Sequence, residues 1–145
     1  MTRLLIFCLL TFLLSSIDAF AGPLHNAVAA NNLEKIKHSI EKGENPNEVD
    51  SDGTWPLLIA STYGFQESAQ LLIEKGADVN QANQYGYTAL HEAASLGYIK
   101  IVKLLVKNQA EINKIDINDY SPLRYAQTSG TPMVVRYLKR NGAKE

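Results

Sequence analysis

The chain contains one cysteine, Cys8, so it can close no disulfide within itself and offers no thiol pair to a metal. Its three histidines, His25, His38 and His91, do not recur at metal-ligand spacing, and no His-x-x-x-His pair occurs. There is no serine on a recognisable elbow motif and no glycine-rich phosphate-cradling spacing, so nucleophilic catalysis and nucleotide binding have no visible seat. Charge of one sign is also lacking: 14 basic and 15 acidic side chains leave a net charge of −1. With the basic residues reading as scattered, that balance implies no broad attraction to nucleic acid or to an anionic membrane. Past residue 14 no long apolar run remains, which leaves no second candidate for a membrane span.

What is present begins with a three-part leader. Met1-Thr2-Arg3 is a short positive start, Leu4 to Leu14 is almost unbroken apolar sequence, and Ala19-Phe20-Ala21 supplies the small-x-small pattern of a cleavage site. The competing reading is a retained anchor, but a span needs about 20 apolar residues. Ser15, Ser16 and Asp18 interrupt this run early. Residues 1–21 are expected to be a secretory signal peptide and 22–145 the mature domain. Cys8 leaves with the signal, and a thiol-free mature chain suits an oxidising compartment.

The rest of the chain keeps step with a period. Ala27, Ala60, Ala93 and Ala126 stand 33 residues apart, and Leu24, Leu57, Leu90 and Leu123 share the spacing, as do Asn47, Asn80 and Asn113. A fixed period of this length is the mark of one supersecondary unit copied and stacked. Four copies follow, at about 22–49, 50–82, 83–115 and 116–145. In the third, Thr88 is placed to cap a helix over Ala89–Leu96, Gly97 ends it, and a second helix runs from Ile99 to about Lys107. Ile101, Val102, Leu105 and Val106 make its apolar stripe. A turn and short strand precede the leucine in copies two to four. The alanine column predicts close helix approach, and Gln109, standing where Gly43, Gly76 and Gly142 stand in the other copies, predicts a strained left-handed turn. Ser39 and Lys139 replace apolar residues in the outermost copies, the polar ends that an array requires.

Gly86-Tyr-Thr-Ala-Leu-His-Glu-Ala-Ala94 and Gly76-Ala-Asp-Val-Asn80 resemble the ankyrin repeat pattern, and the likeness runs from about Pro23 to Ala143. The resemblance implies an all-α solenoid of four helix-pair repeats with β-turn fingers projecting from one side. It implies a protein-binding scaffold, not an enzyme, with no catalytic residue, metal or cofactor. His25 and His91 fall in the family's histidine column, where the ring braces neighbouring turns. Trp55 and Leu58 depart from the pattern, so packing is expected to replace the usual hydrogen bonds there. Glu41, Glu44, Glu48, Asp50 and Asp52 crowd one region and read as a solvated linker.

Superposed copies vary at positions that line the finger tips and inner helices in this family. Here they hold Tyr63, Tyr85, Tyr87, Leu96, Ile117 and Tyr120, which are the candidate protein-binding residues, since aromatic and apolar groups at exposed sites anchor partners. The expectation is an exported monomer, periplasmic first and secreted second, that holds another protein. A secreted factor engaging a host or competitor protein is the alternative, and a hydrolytic enzyme a remote one. Exported bacterial members of the family include some that protect a catalase, a role this resemblance alone suggests.

Overall fold

The computed structural model describes residues 22–144, so the leader reading of residues 1–21 lies outside the described residues. Eight short helices follow in four pairs: α1 Pro23–Ala29 and α2 Leu33–Glu41, α3 Pro56–Tyr63 and α4 Gln66–Glu74, α5 Ala89–Leu96 and α6 Ile99–Lys107, α7 Pro122–Thr128 and α8 Pro132–Arg140. Proline opens α1, α3, α7 and α8, where its missing N–H removes no intrahelical bond. Gly64 and Gly97 close α3 and α5 at φ 74° and 76°, in left-handed backbone that glycine adopts without strain. At seven to nine residues, none of these helices would persist alone in water.

Stacking supplies what helix length cannot. The odd-numbered helices pack on one another as an inner layer and the even-numbered ones as an outer layer. Leu24, Leu57, Leu90 and Leu123 are each at most 1% exposed, and the four alanines at most 3%. The small side chains therefore sit where inner helices touch, at a density that leaves no room for a larger group. Ala69, Leu72, Val102, Leu105, Val134 and Leu138 carry the same core through the outer layer.

Polar bonds repeat with the same period. Asn47 donates its side-chain N–H to the Gly76 carbonyl (3.1 Å) and accepts the Asp78 N–H (2.7 Å). Asn80 does the same with Gln109 and Glu111, and Asn113 with Gly142 and Lys144. Each asparagine thus pins the turn one copy ahead. Gln109 keeps the left-handed conformation of its glycine column, at φ 68°.

Two expectations change. The segments ahead of the helices form no strand among the described residues; they hold one isolated antiparallel bridge, Ala82 with Thr88, and single backbone bonds such as Asp50 N–H to the Thr54 carbonyl. Each finger is instead closed on itself by a side chain. Asp50, Asn83 and Asp116 each accept two backbone N–H groups, from Asp52 and Thr54, Tyr85 and Tyr87, and Asn118 and Tyr120. A side chain that satisfies the turn locally takes away the need for a ladder. Ser39, read as a mark of an uncovered end, is buried, so that end is closed by a small residue at this position and not by an exposed polar one. Lys139 is exposed, as an outer position should be.

Candidate protein-binding surface

The six candidate residues occupy the two ends of the inner helices. Tyr85 and Ile117 stand exposed at the tips of the third and fourth fingers, at 52% and 69%. The Ile117 N–H donates to the Tyr85 carbonyl at 2.8 Å and ties the tips together. Tyr63 and Leu96 stand exposed at the C-terminal ends of α3 and α5, one helix length away, about 12 Å for eight residues. Tyr63 stacks on Phe65 with centroids 5.5 Å apart.

Tyr87 and Tyr120 are half-buried and turned to each other's neighbours. Tyr87 stacks on His91 (5.2 Å) and meets Tyr125 edge-on (5.4 Å), while Tyr125 also packs edge-on against Tyr120 (5.6 Å). The Tyr87 hydroxyl donates to Glu92 at 2.6 Å, and the Tyr125 hydroxyl donates to Asp116 at 2.6 Å. The Arg124 guanidinium lies over the Tyr120 ring, 5.1 Å from its centroid. This aromatic cluster welds the third finger to the fourth copy.

His91 is the hub. Its Nδ1 accepts the Thr88 N–H (3.1 Å) and lies 2.9 Å from the Thr88 hydroxyl, while Nε2 faces the carbonyls of Lys114 and Tyr120, both at 3.1 Å. Carbonyls cannot donate, so Nε2 carries the proton and the ring is neutral. Burial pushes its pKa below the ordinary histidine value. His25 braces the first junction alike, with Nε2 3.1 and 3.2 Å from the Glu48 and Thr54 carbonyls. Burial raises the Tyr125 hydroxyl, and its bond to Asp116 adds to the rise, up to about 12. Burial acts to raise the Asp116 carboxyl too, but donation from Tyr125, Tyr120 and Asn118 outweighs it and the group titrates low. Tyr87 is pushed well above the ordinary tyrosine range by burial and then by Glu92.

The second junction is built differently. Leu58 stands in the histidine column and Trp55 in the threonine column. Trp55 is 1% exposed, and neither its Nε1 nor the buried Gln81 Oε1 has a partner in the structure. An open groove of about 450 Å³ lies between the second and third fingers, lined by Val49, Ser51, Asp52, Trp55, Gln84 and Tyr85 among others.

Sequence reasoning missed Tyr125, which has no aromatic counterpart in the other copies: Ile59 and Glu92 stand in its column. It also took the basic residues as scattered, whereas the fold lines up Lys100, Lys103, Lys107, Arg136 and Arg140 on the exposed side of α6 and α8. Among the described residues no three histidine, cysteine or carboxylate side chains group as metal ligands. No described helix is long and apolar enough to cross a membrane.

Residues 24–116 match the family profile of ankyrin repeats, in three copies. The chain belongs to the ankyrin repeat family. It is 46% identical over 41 residues to an ankyrin repeat protein of fowlpox virus (strain NVSL), a stretch that covers 28% of this chain and 29% of that relative. The fourth ankyrin unit lies almost wholly beyond the profile match, and α7 and α8 with Asn113 place it in the same stack.

Proposed function

We propose that this ankyrin repeat protein is an exported scaffold that holds a partner protein on its finger tips and inner helices. Ankyrin repeats work as protein-interaction modules, typically without catalysis. One observation carries the reading to this surface. The backbone polar groups of the fingers are satisfied internally by Asp50, Asn83, Asp116 and His91, which leaves the third and fourth tips free to present two large side chains, Tyr85 and Ile117, among the exposed polar Gln84, Asn118 and Asp119. Such groups bury much area on contact and lose little rotamer freedom. Tyr63 and Leu96 extend the surface to the far end of the inner helices. Tyr87 and Tyr120 act from beneath, holding the tips in place.

Export rests on the pattern of residues 1–21, and a periplasmic monomer is the form we propose. A secreted form that engages a foreign protein is distinguished by fractionation. The test is affinity purification from the compartment the protein occupies, with wild type beside Tyr85→Ser/Ile117→Ser and Tyr63→Ser/Leu96→Ser. The partner should be lost from the first variant and reduced in the second. Equal recovery on all three baits would remove the tips from the binding surface.

A further inference from the structure

Three positions on each outer helix face solvent at the same place in every copy. They are Glu34, Lys37 and Glu41 on α2; Glu67, Gln70 and Glu74 on α4; Lys100, Lys103 and Lys107 on α6; and Met133, Arg136 and Arg140 on α8. All twelve are exposed, and successive rows lie side by side because the outer helices pack in order. The spacing i, i+3, i+7 keeps each row on one helix face. In the first two copies this grid carries four carboxylates, and its one cation, Lys37, is paired with Glu34 at 3.4 Å. In the last two it carries five cations, and among the described residues none of these has a carboxylate within ion-pair distance. The sixth place in that half is Met133, 66% exposed. Lys103 lies over the ring of half-buried Tyr137, 5.8 Å from its centroid, so α6 and α8 meet beside these two rows.

We infer that the outer face of the third and fourth copies docks on the anionic headgroups of a phospholipid bilayer. The cations are spread over a helix-ridged face and not gathered around a cleft, which suits a planar, fluid array of charges better than a single fixed anion. Met133 decides between polyanions. A flexible apolar side chain at the corner of a cationic field, next to Lys100 and Arg136 in the grid, gains free energy by entering the interfacial region of a bilayer, and nothing comparable from a phosphate backbone. The carboxylates in the same columns of the first two copies repel any extended polyanion laid along the whole grid. A bilayer touches one half while the array tilts away. The surface lies behind the inner layer, so a protein held on the finger tips and a membrane held on the outer face do not compete.

The test is co-sedimentation of the full chain with vesicles of phosphatidylcholine alone and with phosphatidylglycerol added. Because Leu4 to Leu14 can contribute to both, the quantity read is the increment due to the anionic lipid. That increment should fall with salt, and Lys100→Gln/Lys103→Gln/Lys107→Gln should reduce it roughly a hundredfold. Glu67→Lys/Glu74→Lys should raise it in a variant whose helical circular dichroism and melting point match those of the wild type. Met133→Ser should weaken binding a few-fold without changing the salt dependence. An equal partition onto both vesicle types, or an increment that survives the triple substitution, overturns the assignment. So does binding to duplex DNA or polyglutamate at an ionic strength where the vesicles recover none.

Discussion

The junction between the second and third copies and that between the third and fourth follow one template with opposite chemistry. At the later junction His91 links Thr88 to the Lys114 carbonyl at the end of its own copy and to the Tyr120 carbonyl of the next, and Tyr87, Tyr120, Tyr125 and Asp116 close round it. At the earlier one Leu58 and Trp55 fill the equivalent space and two buried polar atoms go without partners. The asparagine tether and the buried alanines are common to both. A repeat interface is therefore specified by its small-residue column and its asparagine, and the remaining positions are free to be polar or apolar provided that the volume is filled.

Several substitutions would break or sharpen that contrast. The largest effect belongs to His91→Leu, which copies the earlier junction into the later one without its tryptophan. Three backbone groups lose their partner, and the variant should unfold at lower urea by about 3 kcal/mol; Leu58→Ala, removing packing alone, should cost about 2 kcal/mol. If His91→Leu proved neutral, the polar latch would be ornamental. Next comes Ala93→Leu, expected to cost about 2 kcal/mol by overfilling, with Ala60→Leu costing the same. A clear difference between them would show that the shared column is not equivalent at the two junctions.

Acid supplies a third probe of the contrast. The folded-state pKa of His91 lies below its unfolded value near 6.5, so its contribution is complete above that pH and is lost as the pH falls from about 6.5 through the folded value. Asp116 is likewise depressed and adds a further loss below about 3.8. Chemical denaturation across that range should show the first decline in wild type and not in His91→Leu. The smallest effect is at the turns. Gln109→Gly should raise stability by about 1 kcal/mol by relieving left-handed strain, and Gly76→Gln should lower it by as much. A lower melting point for Gln109→Gly would mean that the glutamine makes a compensating contact.

The architecture was legible because its signals are local and recur: helix starts at proline, helix ends at Gly64 and Gly97, and the alanine and leucine columns all repeat at one spacing. The bounds of α5 and α6 match the expectation residue for residue. The strands were not foreseeable as absent, since whether an extended segment pairs depends on what else satisfies its N–H groups, here the side chains of Asp50, Asn83 and Asp116. Tyr125 escaped notice because comparing copies reveals what recurs, and its role depends on a neighbour in a different copy. Tyr87 and Tyr120 were rightly placed near the fingers, yet exposure is a tertiary property and these rings turn half inward. The segregation of charge on the outer helices was written in the same columns, but a net charge of −1 averages it away.

The reach of Asn47, Asn80 and Asn113 has one more consequence. Each spans to the unit directly following and no farther, so nothing in the array measures its total number of units. An insertion or deletion of a whole 33-residue module would leave every surviving tether intact, and such a chain could lengthen or shorten by duplication without redesigning its interior.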